Sequence, residues 1–296
     1  MLELSNVTVK IGPEHRRSTL LSDINITVEK GESVGLVGES GSGKSMTMRT
    51  ILQTLPPRTD IAGRVLYKGE DTLAYSGERL RAFRAGAVSM ISQNPQAALN
   101  PVLPVSKFLV EGIQAARPAA TAQEALRLSG EVLEQVGIHN VARCLRSYPH
   151  QLSGGMLQRV VIAGAVARGT ELLLADEPTT ALDVTTQSDV MAILDEARTE
   201  AGMAMIFVTH DLDLAAAACD RIAVMSGGRI VESGPADRVL NRPEHEYTRK
   251  LVAAKPSLDH RIDAGTGDDP QTQAGPRAGT SVPGPPSREA SREVQP

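Results

Sequence analysis

One stretch constrains the fold more than any other: SVGLVGESGSGKSMTMRTIL, residues 33–52. A short apolar run, ending in glycine, leads into a run with helical spacing that reads on to the Pro56-Pro57 stop. Between them GESGSGKS fits G-x-x-x-x-G-K-[ST], made of Gly38, Glu39, Ser40, Gly41, Ser42, Gly43, Lys44 and Ser45. Glycines let backbone wrap closely, so successive N–H groups can turn toward phosphate oxygens. Lys44 is the residue to reach the β- and γ-phosphates, and the Ser45 hydroxyl is a ligand for Mg²⁺. A helix starting near Lys44 adds the positive end of its dipole, with Thr47 in its first turn counted as part of the same site. Strand, phosphate loop and helix in that order point to an α/β fold and a nucleoside triphosphate rather than to a glycine-rich turn that happens to fit, but they leave open what the energy does.

The rest of the chain fits that frame. LELSNVTV and LLSDINITVE alternate apolar and polar residues and predict strands. ELLLAD and MAMIFVTH are apolar enough to be parallel strands buried on both faces. QSDVMAILDEARTEAG between them predicts a helix, and RIAVMSGGRIVESG a hairpin turning at Gly227-Gly228. A helical insertion is expected over about 95–165. In it TAQEALRLSGEVLEQVG carries a capping box, Thr121 with Glu124, and a stop at Gly137. From Pro256 the chain is rich in Pro, Gly, Ser and Thr, so the expected organisation is one domain over 1–255 and a disordered tail over 256–296.

Composition narrows the partners. Aromatics are 2% with no Trp, so aliphatic packing must build the core and stacking platforms for single-stranded nucleic acid are not expected. A net charge of -4 gives no electrostatic footprint for DNA or RNA. Cys144 and Cys219 form no Cys-x-x-Cys pair and read as buried free thiols. The start MLELSNVTVK has no signal-peptide core, and no apolar run approaches the ~18 residues of a membrane span. Work at a membrane would need other subunits to provide the anchor.

Four further stretches complete a nucleotide site. LLLADE delivers Asp176 to a strand end, where it can hold Mg²⁺ through water, and Glu177 next to it can take a proton from an attacking water. Taken alone, this acidic pair could equally cap a strand. FVTHD ends a buried strand in His210, where parallel-strand ends converge and ligands bind. His15, His139, His150, His245 and His260 carry no such placement and read as structural. Gln93, after AVSMIS, can ligand Mg²⁺ or position water, or can simply face solvent. HQLSGGMLQR supplies a second anion-binding element, Ser153, Gly154 and Gly155 at a helix N-terminus. It lies far in sequence from the phosphate loop. Two copies arranged head to tail, each covering the other's ATP, would use both elements.

GESGSGKS, ISQNPQ, LSGGMLQ, LLLADEP, TALD and VTHD, in that order, resemble the ATP-binding cassette (ABC) ATPases over residues 1 to about 255. The resemblance implies a P-loop NTPase of the ABC type, with a helical subdomain and an antiparallel β subdomain, and ATP and Mg²⁺ as cofactors. It implies that residues 38–45 are the Walker A loop, Gln93 the Q-loop, 152–158 the signature, Asp176 the Walker B aspartate and Glu177 the catalytic base. Lys44 and His210 would assist catalysis, His210 as the switch histidine. Ser45, Gln93 and Asp176 would surround the metal, and residues 180–183 would contact the other protomer. QNPQAALNPV and RPEHEYTRKLVAAKP are similar to the peptide/nickel importers of bacteria. In that family two ATPase subunits, often paralogues, pair under two transmembrane permease subunits at the cytoplasmic face of the membrane. An extracytoplasmic binding protein feeds the permease, and residues 93–102 would take its coupling helix.

The chain departs from the family pattern in three places. Ile11 stands where an aromatic usually stacks on adenine, which implies a weaker or purely apolar contact. The tail lacks the cysteines that form an iron–sulfur centre in many peptide-importing members. Met156 replaces a common Gln of the signature and is expected to be a packing choice. A soluble cassette ATPase acting on ribosomes or DNA is the rival reading. Translation-type members join two cassettes in one chain and repair-type members insert long coiled coils, and neither pattern is present. A P-loop kinase is a third option, but it leaves LSGGMLQ without work.

Overall fold

The computed structural model describes residues 1–179 and 184–254; the TALD motif and the tail lie outside the described residues. Met1–Lys255 form one compact unit. Its first strands, β1 (Leu2–Ile11) and β2 (Ser18–Val28), pair antiparallel. Then come β3 (Ser33–Val37), α1 (Lys44–Ile51), β4 (Thr59–Tyr67), β5 (Glu70–Asp71) and α2 (Gly77–Ala82). β6 (Val88–Ile91) leads into four helices: α3 (Val105–Ala116), α4 (Ala122–Gln135), α5 (Val141–Arg146) and α6 (Gly154–Arg168). The chain continues through β7 (Leu172–Asp176), α7 (Val184–Ala201), β8 (Ala204–Thr209) and α8 (Leu212–Ala218). It then forms β9 (Arg221–Ser226), β10 (Arg229–Pro235), α9 (Ala236–Asn241) and α10 (Glu246–Ala253).

Two sheets result. An antiparallel sheet has the order β2-β1-β4-β5, and a second sheet the order β10-β9-β3-β8-β7-β6. In the second sheet β3 runs parallel to both β8 and β9, and β7 parallel to β6 and β8, while β10 closes one edge antiparallel. The β9–β10 hairpin turns at Gly227 and Gly228, φ 55° and 76°, the left-handed pair that such a two-residue turn requires.

Alternation along the buried strands separates two cores, because successive side chains point to opposite faces. Leu172 and Leu174 of β7, with Ala204, Ile206 and Val208 of β8, face a core shared with Leu4, Val7, Val9 and Ile24 of the antiparallel sheet. Leu173 and Ala175, with Met205 and Phe207, face Leu109, Ile113, Leu133, Leu157 and Ile162 of the helical layer. The parallel sheet is thus sandwiched, and each fully buried Leu or Ile stabilises the fold by ~1.5–3 kcal/mol. A third core gathers Val37, Leu212, Ala215, Val224 and Val239 under the C-terminal helices.

Several details differ from the sequence reading. β4 and β5 were not expected, because only Val65 and Tyr67 of β4 are buried and no apolar alternation marks the strand. Three of the seven aromatics meet in one cluster. Phe83 sits edge-on to Tyr67 and Tyr75, with centroids 5.3 and 5.7 Å away. Helix α1 ends at Ile51, well short of Pro56, because Gln53 turns left-handed (φ 51°) and the Thr54 N–H donates back to the Arg49 carbonyl. The capping box of α4 is formed as expected, and both cysteines are free and buried. Among the described residues no helix is long and apolar enough to cross a membrane.

Candidate nucleotide-binding and catalytic site

The phosphate loop leaves the carboxyl end of β3, where the neighbouring parallel strands β8 and β9 also end, and ligands of open α/β sheets collect at such an edge. Its glycines are required by space and by backbone. A Cβ on Gly38 would lie 2.2 Å from the Met225 carbonyl oxygen. Gly43, the N-cap of α1, has φ 110°, and a Cβ there would lie 2.7 Å from Leu21 Cδ2. Lys44 is only 6% exposed, and its Nζ donates to the carbonyls of Gly38 (2.7 Å) and Glu39 (2.9 Å). Burial pulls the Lys44 ammonium below its usual range, against the opposing fields of Glu177 and Asp176. A buried basic group held by two loop carbonyls, beside glycine backbone that can turn its N–H groups inward, suits a polyphosphate.

Across the cleft the Ser45 hydroxyl donates to Asp176 Oδ1 at 3.1 Å. Burial raises the Asp176 carboxyl above its ordinary value; the Ser45 bond pulls it down, and neighbouring Glu177 pushes it up. Two oxygen donors side by side are the set Mg²⁺ uses when substrate phosphates supply the remaining ligands. The donor set and the glycine cradle therefore fit MgATP.

Glu177 lies next along the chain in the left-handed region, φ 47°, its N–H donating to the Val208 carbonyl at 3.0 Å. That turn brings its carboxylate toward the end of β8. Oε2 is 3.4 Å from Gln93 Nε2, and Oε1 is 3.5 Å from His210 Nδ1. The Glu177 side chain is 20% exposed and that of His210 62% exposed, so a carboxylate is turned inward with a histidine over its mouth. Glu39, Ser40, Gly41, Gly43, Lys44, Ser45, Gln93, Asp176, Glu177 and His210 all line one cleft of 810 Å³. Residues on four separate segments are thereby brought together.

Other expected site residues lie elsewhere. Thr47 is fully buried, on the inward stripe of α1 with Met48 and Ile51, and its hydroxyl donates to the Gly43 carbonyl at 3.1 Å. It supports the loop from beneath and does not line the cleft. Ser42 is also buried; its N–H donates to the Glu39 carbonyl and its own carbonyl accepts from the Gly228 N–H. Ser153 caps α6 by accepting the Met156 N–H at 3.3 Å. Neither Ser153, Gly154 nor Gly155 lines the cleft; Gly154 borders a separate recess of 250 Å³ with residues 93–96, Leu157, Gln158 and Pro178. Within one chain the two elements expected to bind anions border different cavities. Ile11, at the expected adenine position, is paired with Ser18 and Thr59, and Leu20 and Met46 supply the apolar lining instead. Nothing in the sequence pattern singles out Leu20, which looks like any other residue of a strand.

Comparison with known proteins agrees with this geometry. Residues 21–180, more than half of the chain, match the ABC transporter family, and residues 231–280 match the oligopeptide/dipeptide transporter C-terminal region. A putative peptide import ATP-binding protein of Brucella abortus is 41% identical over 264 residues, covering 89% of this chain and 79% of that protein. A probable peptide ABC transporter ATP-binding protein of Sinorhizobium fredii is 40% identical over 86% of this chain and 77% of its own. Among solved structures, a dimeric ATP-binding cassette in a post-hydrolysis state with ADP and Pi superposes with TM-score 0.70 at 29% identity, covering 80% of this chain and 99% of that one. cbiO1 from Clostridium perfringens, part of the ABC transporter complex cbiONQ, gives 0.69 at 26% identity over 86% and 94%. The phosphate cradle, the paired carboxylates and these matches lead to one statement: the chain belongs to the ABC transporter family as one of its ATP-hydrolysing subunits, in the branch that bears the oligopeptide/dipeptide C-terminal region.

Proposed function

We propose that this subunit powers the import of peptides, seated at the cytoplasmic face of the membrane under two permease subunits and paired with a second ATP-binding subunit. The convergence of Lys44, Ser45, Gln93, Asp176, Glu177 and His210 on one cleft carries this reading. Lys44 and the loop N–H groups hold the terminal phosphates. Ser45, Asp176 and Gln93 would hold Mg²⁺, which would neutralise charge on the phosphates. Glu177 accepts a proton from the attacking water, and His210 and Gln93 orient that carboxylate and the water. Positioning and preorganised charge supply most of the acceleration, since phosphoryl transfer asks for little covalent help.

Ser153, Gly154 and Gly155 belong, in this reading, to the nucleotide of the opposite subunit, which they cover at the N-terminus of α6. The named activity of the relatives, peptide import, supports peptides as the cargo class; nickel or metal chelates rest on the sequence resemblance alone. The transporter-specific C-terminal match favours this over a soluble cassette acting on ribosomes or DNA. The test is purification with the membrane partners, followed by Glu177→Gln. Two polytopic subunits should copurify, and the variant should bind ATP, hold a closed dimer and turn over about 10²–10⁴-fold more slowly. Near-normal turnover would remove Glu177 from its role, and copurification of ribosomes or DNA instead would remove the transport reading.

A further inference from the structure

Helix α10 contains none of the nucleotide motifs, yet it touches the phosphate loop. The Oη of Tyr247 accepts a hydrogen bond from the Glu39 N–H at 3.1 Å. The carbonyl of the same Glu39 accepts from Lys44 Nζ at 2.9 Å and from the Ser42 N–H at 3.2 Å. Glu39 is therefore gripped from the cleft on one side and from the C-terminal helix on the other.

The tyrosine is well placed to brace. With Leu251 and Val252 it packs on the core that holds Val37, the residue before Gly38, and Leu212, two residues after His210. The chain entering α10 is itself pinned. Glu232, 7% exposed, accepts the N–H groups of Glu244 (2.9 Å) and His245 (3.0 Å), and His245 Nδ1 accepts the Tyr247 N–H at 3.1 Å.

We propose that Tyr247 is a positioning residue of the phosphate loop, and that through it the C-terminal helix sets nucleotide affinity. The proposal rests on reading residues 38–45 as the phosphate site. Lys44 stitches the loop by donating to Gly38 and Glu39, but an ammonium shared with a phosphate loosens that hold. The Tyr247 hydroxyl does not line the cleft and takes only the Glu39 N–H, leaving the other loop N–H groups to the phosphates, so it keeps Glu39 in place as Lys44 turns to the nucleotide. Holding a loop in its binding conformation raises affinity by lowering the ordering cost.

The experiment measures MgATP binding and turnover for the full-length chain, Tyr247→Phe and Lys44→Ala, with hydrogen exchange followed over residues 246–253. Tyr247→Phe keeps the ring and its packing and removes only the hydroxyl. It should weaken ATP binding about 3- to 10-fold, raise KM by the same factor and leave kcat at saturating ATP within about twofold. Nucleotide should slow exchange over 246–253 in the natural chain and leave it unchanged in Tyr247→Phe. Natural affinity in Tyr247→Phe together with lost binding in Lys44→Ala would overturn the proposal alone. Undiminished binding in Lys44→Ala would instead overturn the phosphate site on which it rests. A fall in kcat as large as the rise in KM would also refute it, since that marks a general structural role.

Discussion

Replacing Glu177 by Ala and by Gly separates what its carboxylate does from what its backbone costs. Glu177 has φ 47°, where an L-residue lies about 1–2 kcal/mol above its right-handed alternative and glycine does not. Glycine carries an opposing penalty of about 0.5–1 kcal/mol from the freedom it has in the unfolded chain. At the midpoints of those ranges the balance favours Gly over Ala at this position by about 0.75 kcal/mol, which for a domain of this size is about 1.5–3 °C in Tm. Both variants lose the contacts to Gln93 and His210, so those contacts cancel in the comparison. Thermal unfolding without nucleotide, beside ATP turnover, is the assay: both variants inactive, and Gly the more stable. An Ala variant as stable as the Gly variant would refute a left-handed backbone at 177. It would also refute the idea that strain is held by the N–H bond to Val208 at the residue proposed to activate water.

Three further outcomes follow from the same geometry. Burial and the neighbouring Glu177 raise the Asp176 carboxyl, so Mg²⁺-dependent nucleotide binding should fall with acid at a midpoint above the ordinary ~3.9; Glu177→Gln should move that midpoint down, as read by titrating binding against pH. Burial alone would raise the Glu232 carboxyl, but the N–H groups of Glu244 and His245 and the charge of Arg238 outweigh it and hold the group below its usual range. Its contribution is therefore present above the unfolded pKa and lost as pH falls through the lower folded one. Glu232→Gln should cost about 1–3 kcal/mol near neutrality and flatten the acid limb of a denaturant series. Burial pushes the Cys219 thiol up to about 12, with Asp220 adding to it, and burial raises Cys144 as well. A thiol reagent at mild pH should label neither cysteine in the folded chain and both in denaturant.

The site was legible wherever local backbone chemistry dictates its residues. Gly38 and Gly43 occupy positions that a side chain cannot, and the runs ending in Asp176 and His210 are apolar because both their faces are covered. Thr47 misled because nearness to Lys44 in sequence is not nearness to the cleft; helical spacing turns it into the core with Met48. Leu20 and Tyr247 escaped notice because each meets the site only through pairing and packing made far along the chain. β4 escaped because most of its residues face away from the core. The signature was readable as a motif, but its partner phosphate lies outside its own chain in the reading proposed above.

The phosphate loop is encoded within the first 45 residues, yet its supporting strand is paired with Met205 through Ser33 and with Arg221 through Val34. During synthesis at about 5–20 residues per second, roughly 10–40 s pass between emergence of the glycines and arrival of the strands that hold them. A nascent or prematurely terminated chain lacking β9 would display the motif without its cradle. Nucleotide can therefore stabilise the subunit only once β9 (Arg221–Ser226) has emerged and paired.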